Sequence, residues 1–391
     1  MAKAIYYGKQ TIDQQDIDAV CEVLHSNLLT QGPYVGRFEQ DLASYVNAPH
    51  AIACCNGTAG LHLACMALGI TQGDEVWVSA VSFVASANCA RYCGANVRFV
   101  DIDPTSGNLS IEALEKMLAK AEHFPKALIV VHLGGNSCDM ASIAKLCQAH
   151  RIAIIEDACH ALGSTYHNDP VGSCRYSDCC VFSFHPVKTI TTAEGGMITC
   201  KSQSLAKRLR QFASHGISKD ADDWSYPNSA PWYYEQQTLG YNYRLSDLQA
   251  ALGIAQLRRI DDFLQKRRAI IERYEQAFVG NSLVSMQQIT AHSHSAYHLA
   301  LIQCADSKIR QKIYQALGDE QIFCQLHYIP IYRQPYYRQL NSTEFHQYPG
   351  AEAHYQHALS LPVYPTLSID EQNRIIKLIE HTLHPYLQLS N

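Results

Sequence analysis

Between about residues 50 and 200, short apolar runs alternate with amphipathic stretches at a regular beat. Ala51–Cys55, Glu75–Ser79, Val97–Val100, Ala127–Val131 and Ile152–Ile155 each have the length and near-continuous apolarity of a buried strand. Asn56-Gly57 punctuates the first run and opens a helix from Thr58 to Leu68; Phe83 to Tyr92 lies between the second and third. This alternation predicts a largely parallel α/β sheet covered on both faces. Cys179–Ser183 and Gly196–Cys200 follow with a connection too short for a full crossover, so one of them is expected to run antiparallel. Upstream, Ile17, Val20, Cys21 and Leu24 keep helical spacing. Ser214 to Arg244 breaks the pattern with a polar, aromatic-rich stretch holding Trp224, Pro227, Pro231 and Trp232, long enough to be functional. Ser246 to about Ala277 then reads as one long helix joining a large domain, 1–255, to a small one, 256–391. The small domain is expected to carry apolar strands at Tyr297 to Ile302 and Gln321 to Leu326, with helices near 306–317 and 369–381.

Charge and composition narrow the class. A net charge of −5 offers no basic field for nucleic acid and no polybasic membrane patch. No run of about 18 apolar residues suggests a membrane span, and Met1 to Tyr7 lacks the apolar core of a signal peptide, so a cytoplasmic location is expected. The fifteen cysteines are scattered, without C-x-x-C spacing, and read as small core hydrophobes in a reducing compartment rather than metal ligands; no metal site is expected.

The candidate chemistry centres on Lys188. It is the only lysine between Arg175 and Lys201, and from Asp178 to Lys201 its only charged companion is Glu194. Among Phe, Val, Ile and Thr an amine is partly desolvated, which lowers its pKa and leaves it free to attack a carbonyl. The bland alternative is a lysine snorkelling from a strand end. Asn56-Gly57-Thr58 lies between strand and helix, where bare amides suit a phosphate, although it could be a plain capped turn. Glu156-Asp157 ends a buried strand, where α/β proteins place their sites; Asp157 could hold a cofactor's ring nitrogen or simply cap a helix. Phe83 could stack on a planar ring or fill the core, and Ser183 could reach the same phosphate or merely end its strand.

Taken in chain order, Gly57-Thr58, Glu156-Asp157-Ala-Cys-His160-Ala, Ser183-Phe-His-Pro-Val-Lys188, Glu194-Gly-Gly196 and Gly240-Tyr-Asn242-Tyr-Arg244 resemble the motifs of the DegT/StrS-type sugar-nucleotide aminotransferases. The resemblance runs from Thr30-Gln-Gly-Pro33 to the C-terminal lobe. It implies a type I pyridoxal-phosphate-dependent transferase fold, with a mostly parallel seven-stranded sheet, a smaller α+β C-terminal domain, and a homodimer with shared active sites. By the same resemblance Lys188 is the Schiff-base lysine and Asp157 the pyridinium partner. Phe83 is the stacking aromatic, Gly57, Thr58 and Ser183 lie beside the phosphate, and His160 lies beside the ring. Asn242 would reach the phosphate of the partner subunit. Tyr7, Asn27, Leu28, Leu29, Thr30, Asn56, His327, Tyr328, Ile329 and Pro330 match sugar-nucleotide contacts. The chain departs from the family at Asn56-Gly-Thr, where relatives often carry Ser-Ala-Thr. Family dehydratases carry histidine in place of the lysine, so Lys188 points to amino transfer. Ser82 to Asn88, His185 to Thr192, His327 to Pro330 and Gln334 to Tyr337 are most similar to the branch that moves nitrogen from L-glutamate to C4 of a UDP-4-keto-6-deoxy-N-acetylhexosamine for pseudaminic acid. Bacillosamine, perosamine or 4-amino-arabinose chemistry, or a pyridoxal-phosphate-binding regulator without turnover, are the other readings.

Overall fold

The computed structural model describes residues 4–226, 230–340 and 345–387, so Met1 and Pro227 lie outside the described residues. Its centre is a seven-stranded sheet of β2 (His50–Cys54), β3 (Glu75–Ser79), β4 (Asn96–Val100), β5 (Ala127–Val131), β6 (Ala153–Asp157), β9 (Cys179–Ser183) and β10 (Gly196–Cys200). Two-residue strands, β1 (Ile5–Tyr6), β7 (Thr165–Tyr166) and β8 (Asp169–Pro170), lie outside this sheet. The spatial order is β2-β10-β9-β6-β5-β3-β4, with β10 antiparallel to both neighbours and every other pairing parallel. The antiparallel strand expected in the 179–200 hairpin is therefore β10. The strands are buried along nearly their whole length because helices cover both faces, which is why they read as continuous apolar runs rather than alternating ones.

The helices that position the site are α1 (Gln14–Leu24), α2 (Pro33–Tyr45), α3 (Gly57–Ala67) and α4 (Ala85–Tyr92), followed by α5 (Ile111–Lys120), α6 (Met140–Ala149), α7 (Gln203–Ala213), α8 (Asp247–Leu257) and α9 (Ile260–Phe278). Asn56 caps α3 by accepting the Ala59 amide at 2.8 Å. Helix α2 starts at Pro33 with no side-chain cap of its own; instead Asp247 accepts the amides of Gly32 and Tyr34 at 2.7 and 2.8 Å. That contact, spanning more than two hundred residues, ties the Thr30–Pro33 turn to the start of α8.

The single helix expected over 246–277 is two helices, broken at Arg258–Arg259. Neither glycine nor proline marks the break. Arg259 is drawn instead to Asp13 and Asp16, which form the capping box of α1. The Ser214–Arg244 stretch is likewise not a plain loop: Ile217–Ser218 pairs with Glu235–Gln236, and Trp224 packs edge-on against Tyr233 at 4.9 Å.

Beyond α9, Val284–Met286, Ala300–Cys304 and Ala358–Leu361 form a three-stranded antiparallel sheet backed by helices Ser307–Asp319 and Ile369–Leu387. The expected strand at 297–302 is shifted to 300–304 because Tyr297 adopts a positive φ of 47°. Of the run 321–326 only Ile322–Phe323 forms a strand, parallel to β1, while Gln325 bridges to Ser360. We propose the Arg258–Arg259 break as the start of the small domain, three residues beyond the boundary expected from sequence.

Arg267 of α9 is 1% exposed, and its Nη1 donates to the carbonyls of Tyr297, His298 and Val363 at 3.4, 3.3 and 3.0 Å. It thus pins the strand entry at 297–298 and the Val363 turn to one helix. Substituting Arg267→Leu removes a charged donor from three buried acceptors, at a cost of about 2–4 kcal/mol after relief of the buried charge. Denaturant unfolding of variant and parent at one pH should read that loss as a lower midpoint with an unchanged slope.

Candidate active site

Parallel strands present their C-terminal ends on one edge of the sheet, and β10, running the other way, brings its N-terminus there. Register places Gly196 opposite both Ser183 and Cys54, and Asp157 opposite Val181 and Val131. The turn after β2, the ends of β6 and β9, and the segment after β3 therefore converge. They line a cavity of about 700 Å³, bordered also by Tyr7 and by Gln325 to Ile329.

Lys188 follows β9 in a short turn in which its amide bonds the His185 carbonyl at 2.9 Å. The side chain is half-buried and lines the cavity. Burial lowers its pKa below the ordinary lysine value, against opposing pulls from Cys159 and Asp157. Asp157 lies nearly buried at the end of the central strand. Its Oδ1 accepts the Cys159 amide at 3.2 Å and its Oδ2 the Ser86 hydroxyl at 2.5 Å.

A neutral imidazole lies beside this pair. His160 Nδ1 accepts the Gly134 amide at 3.3 Å, so its proton resides on Nε2, 3.1 Å from the Tyr328 hydroxyl. Burial, then Lys188 and His327, hold the His160 pKa well below the ordinary range. His298 packs against it, tilted, at 4.4 Å between ring centres and is also held neutral, mainly by burial. His327 is pushed down to about 3 by burial, Lys188 and His354. Two neutral rings of the cavity lining, His160 and His327, and His298 behind them thus add no positive charge beside the amine.

Also in the cavity lining, Gly57 and Thr58 are the first two residues of α3, so their amides have no carbonyl one turn back. A Cβ at Gly57 would meet Ser183 Cβ at 2.9 Å, which is why glycine stands there. Free amides, the Thr58 and Ser183 hydroxyls and the positive end of α3 suit a phosphate group. Phe83, at the cavity wall, is 56% exposed although it follows a buried strand. An amine, a carboxylate on a strand end, an exposed ring and an anion cradle form a set that fits pyridoxal phosphate.

Similarity to known proteins decides the matter. Residues 10–380 match the DegT/DnrJ/EryC1/StrS aminotransferase family. The chain belongs to this family. It is 37% identical over 378 residues to the spore coat polysaccharide biosynthesis protein SpsC of Bacillus subtilis, covering 95% of each chain. It is also 37% identical over 386 residues to a UDP-4-amino-4,6-dideoxy-N-acetyl-beta-L-altrosamine transaminase of Campylobacter jejuni, covering 98% of each. Among solved structures, PseC of Helicobacter pylori, an aminotransferase of pseudoaminic acid biosynthesis, superposes with a TM-score of 0.90 at 31% identity over 98% of this chain and 100% of that one. The protein is thus a sugar-nucleotide aminotransferase of the type I fold that depends on pyridoxal phosphate.

Of the residues singled out in the sequence, Tyr7, Asn56, Gly57, Thr58, Phe83, Asp157, His160, Ser183, Lys188, His327, Tyr328 and Ile329 line the cavity. Asn27, Leu28, Leu29, Thr30, Pro330 and Asn242 are outside its lining. Leu28 and Leu29 are about half exposed, and Asn242 is exposed beside Ser214. Sequence reasoning missed Ser86, His298 and Gln325. Ser86 lies within the Ser82 to Asn88 stretch but was given no role there, His298 sits in an apolar run, and both contacts that matter are seventy or more residues away.

When bound, pyridoxal phosphate supplies a carbonyl for amines and a ring that takes up electrons. Lys188 Nζ, kept more unprotonated by burial, would be the base for the donor Cα proton. Asp157 would hold the proton on the ring nitrogen, and Phe83 would hold the ring plane, since both line the same cavity.

Because the folded protein lowers the Lys188 pKa, the unfolded chain binds the extra proton more readily below the ordinary value of 10.5. Native stability carries a penalty at neutral pH that disappears as pH rises toward 10.5. Apo Lys188→Met is expected to melt higher than apo parent at pH 7, with the gap closing by pH 10, and to develop no visible absorbance with the cofactor. Scanning calorimetry across pH checks the first statement and absorbance spectra the second. Asp157→Asn should keep its fold yet lose on the order of 10²-fold in turnover, since a neutral amide cannot hold the ring proton. Steady-state rates beside a circular dichroism spectrum measure both.

Proposed function

We propose that this aminotransferase moves nitrogen from L-glutamate to C4 of UDP-2-acetamido-2,6-dideoxy-β-L-arabino-hex-4-ulose, a step of pseudaminic acid biosynthesis in the cytoplasm. The observation that carries the reading is twofold likeness to that branch, in the Campylobacter relative and in the Helicobacter structure, joined to the cavity wall. The Gln325–Ile329 and Gln334 side of the cavity is neutral and amide-rich, the chemistry that recognises hydroxyl and acetamido groups rather than carboxylates. SpsC is equally similar in sequence, so another 4-keto sugar nucleotide is the second reading.

Lys188 is the catalytic residue in this proposal. Asp157, His160, Phe83, Gly57, Thr58 and Ser183 hold the cofactor, while Tyr7, Asn56 and His327 to Ile329 face the sugar. Among the described residues that line the cavity, Lys188 is the only lysine or arginine. A phosphate, a diphosphate and a donor carboxylate need more cationic or amide donors than one chain's cavity offers. That shortage supports a homodimer whose partner adds Asn242, with Asn27 to Thr30 and Pro330 as sugar-nucleotide contacts at the cavity's outer margin. Exposed apolar side chains near Asn242, Leu239 at 80% and Trp232 at 79%, fit a covered face.

Two experiments test the proposal. Purified enzyme offered a panel of 4-keto sugar nucleotides, with NMR of each product, should turn over the β-L-arabino UDP sugar at least tenfold better than GDP- or L-arabinose-type substrates; preference for one of those assigns the chain to another branch. Mixing Lys188→Ala with Asn242→Ala subunits should restore part of the activity, because one of the two sites then carries neither lesion. No recovery despite subunit exchange confirmed by mass would place Asn242 in its own chain's site.

A further inference from the structure

Asp157 is the acceptor at the end of a chain of two buried hydroxyls. Ser86, in the first turn of α4, is fully buried, and its Oγ lies 2.5 Å from Asp157 Oδ2. Ser82, 3% exposed, brings its Oγ within 2.6 Å of Ser86 Oγ. An ionised carboxylate accepts but never donates, so the polarity of the chain follows. Ser86 spends its single proton on Asp157 and must accept the proton of Ser82. Hydrogen bonds in such a row polarise one another in a low-dielectric interior. The Cys159 amide engages Oδ1. With one donor on each oxygen, the carboxylate cannot rotate without breaking one of them, and its remaining lone pairs keep a set direction. Ser82 lines the cavity, so the chain begins at the wall of the site and ends on its acid.

We propose that Ser86, backed by Ser82, is a positioning residue that sets the orientation and basicity of Asp157 toward the cofactor's ring nitrogen. The proposal rests on the reading of Asp157 as the ring-nitrogen partner. A hydroxyl that donates to the carboxylate withdraws charge from it and leaves the shared proton on the ring. Loss of that donor makes the acid more basic and free to turn, so the ring carries less positive charge and the imine nitrogen conjugated with it becomes more basic.

The test measures pyridoxal phosphate binding to the apo-protein by fluorescence titration, and the pH midpoint of the bound cofactor's visible absorbance. The variants are Ser86→Ala, Ser82→Ala, Asp157→Asn and the Ser86→Ala/Asp157→Asn pair. Ser86→Ala should weaken binding about tenfold, as expected for a hydrogen bond to a charged group. It should also move the midpoint upward, in the direction of Asp157→Asn but by less. Ser82→Ala should move both in the same sense by about threefold in affinity, one link further from the charge, and it decides the matter if Ser86→Ala does not fold. In the Asp157→Asn background, Ser86→Ala should cost nothing further. An equal loss in both backgrounds, or an unmoved midpoint in Ser86→Ala and Ser82→Ala, overturns the proposal while leaving Asp157 in its role. An Asp157→Asn protein with parental affinity and midpoint overturns the ring-nitrogen reading, and this inference with it.

Discussion

A carboxylate nearly buried at the end of the central strand of a sheet needs a hydrogen-bond donor for each of its oxygens. The rest of the site is arranged around that constraint. Asp157 sits on β6, flanked by β5 and β9, with helices over both faces. Donors for its oxygens come from two directions: an amide two residues on, and a hydroxyl from α4. They leave neither oxygen without a partner and fix the direction in which the carboxylate points. Its neighbour Glu156 faces the other side of the strand and meets a different solution, the imidazole of His132 at 2.8 Å. Two adjacent acids are thus satisfied separately, one by a structural histidine and one by groups that border the cavity.

The amine opposite is governed by the reverse sign of the same effect. Desolvation favours the neutral form of lysine and of histidine, so burial lowers Lys188, His160, His298 and His327 together. Each cation avoided makes the next proton easier to accept for a mobile base. The uncharged imidazoles hold shape and hydrogen bonds while leaving the proton to the lysine. Arg267 is the exception, a buried guanidinium kept charged by its three carbonyls. It stands behind the histidines rather than in the cavity, and joins α9 to the segments that carry His298 and Val363.

Assembly enters through what one chain's cavity lacks. The α3 N-terminus and two hydroxyls can receive a phosphate, yet a single lysine is the cationic provision of the lining among the described residues. The folded excursion from Ser214 to Arg244 presents aromatic and apolar groups outward and ends at Asn242, which its own chain does not bring to the cavity. A second subunit would answer both features at once.

The amino-acid sequence by itself determined the sheet, its crossovers and the positions of the candidate groups along the chain. Continuous apolar runs can only be buried strands or core helices, and the turn residues after each run mark where the chain leaves the sheet at its functional edge. Lys188, Asp157 and the Asn56–Thr58 turn each had a bland local reading, and it was their combination in chain order, with the family resemblance it carries, that singled them out. Tertiary structure alone decided the break at Arg258–Arg259, since the residues that attract Arg259 lie more than two hundred positions away. It alone decided that Ser86 serves Asp157 and that His298 backs His160, because a serine or a histidine in an apolar run has the same local pattern whether it is satisfied or functional. Spacing along the chain reports the periodicity of a helix or strand; which side chain meets which across the fold is set by strand order and helix packing, and leaves no mark in the local sequence.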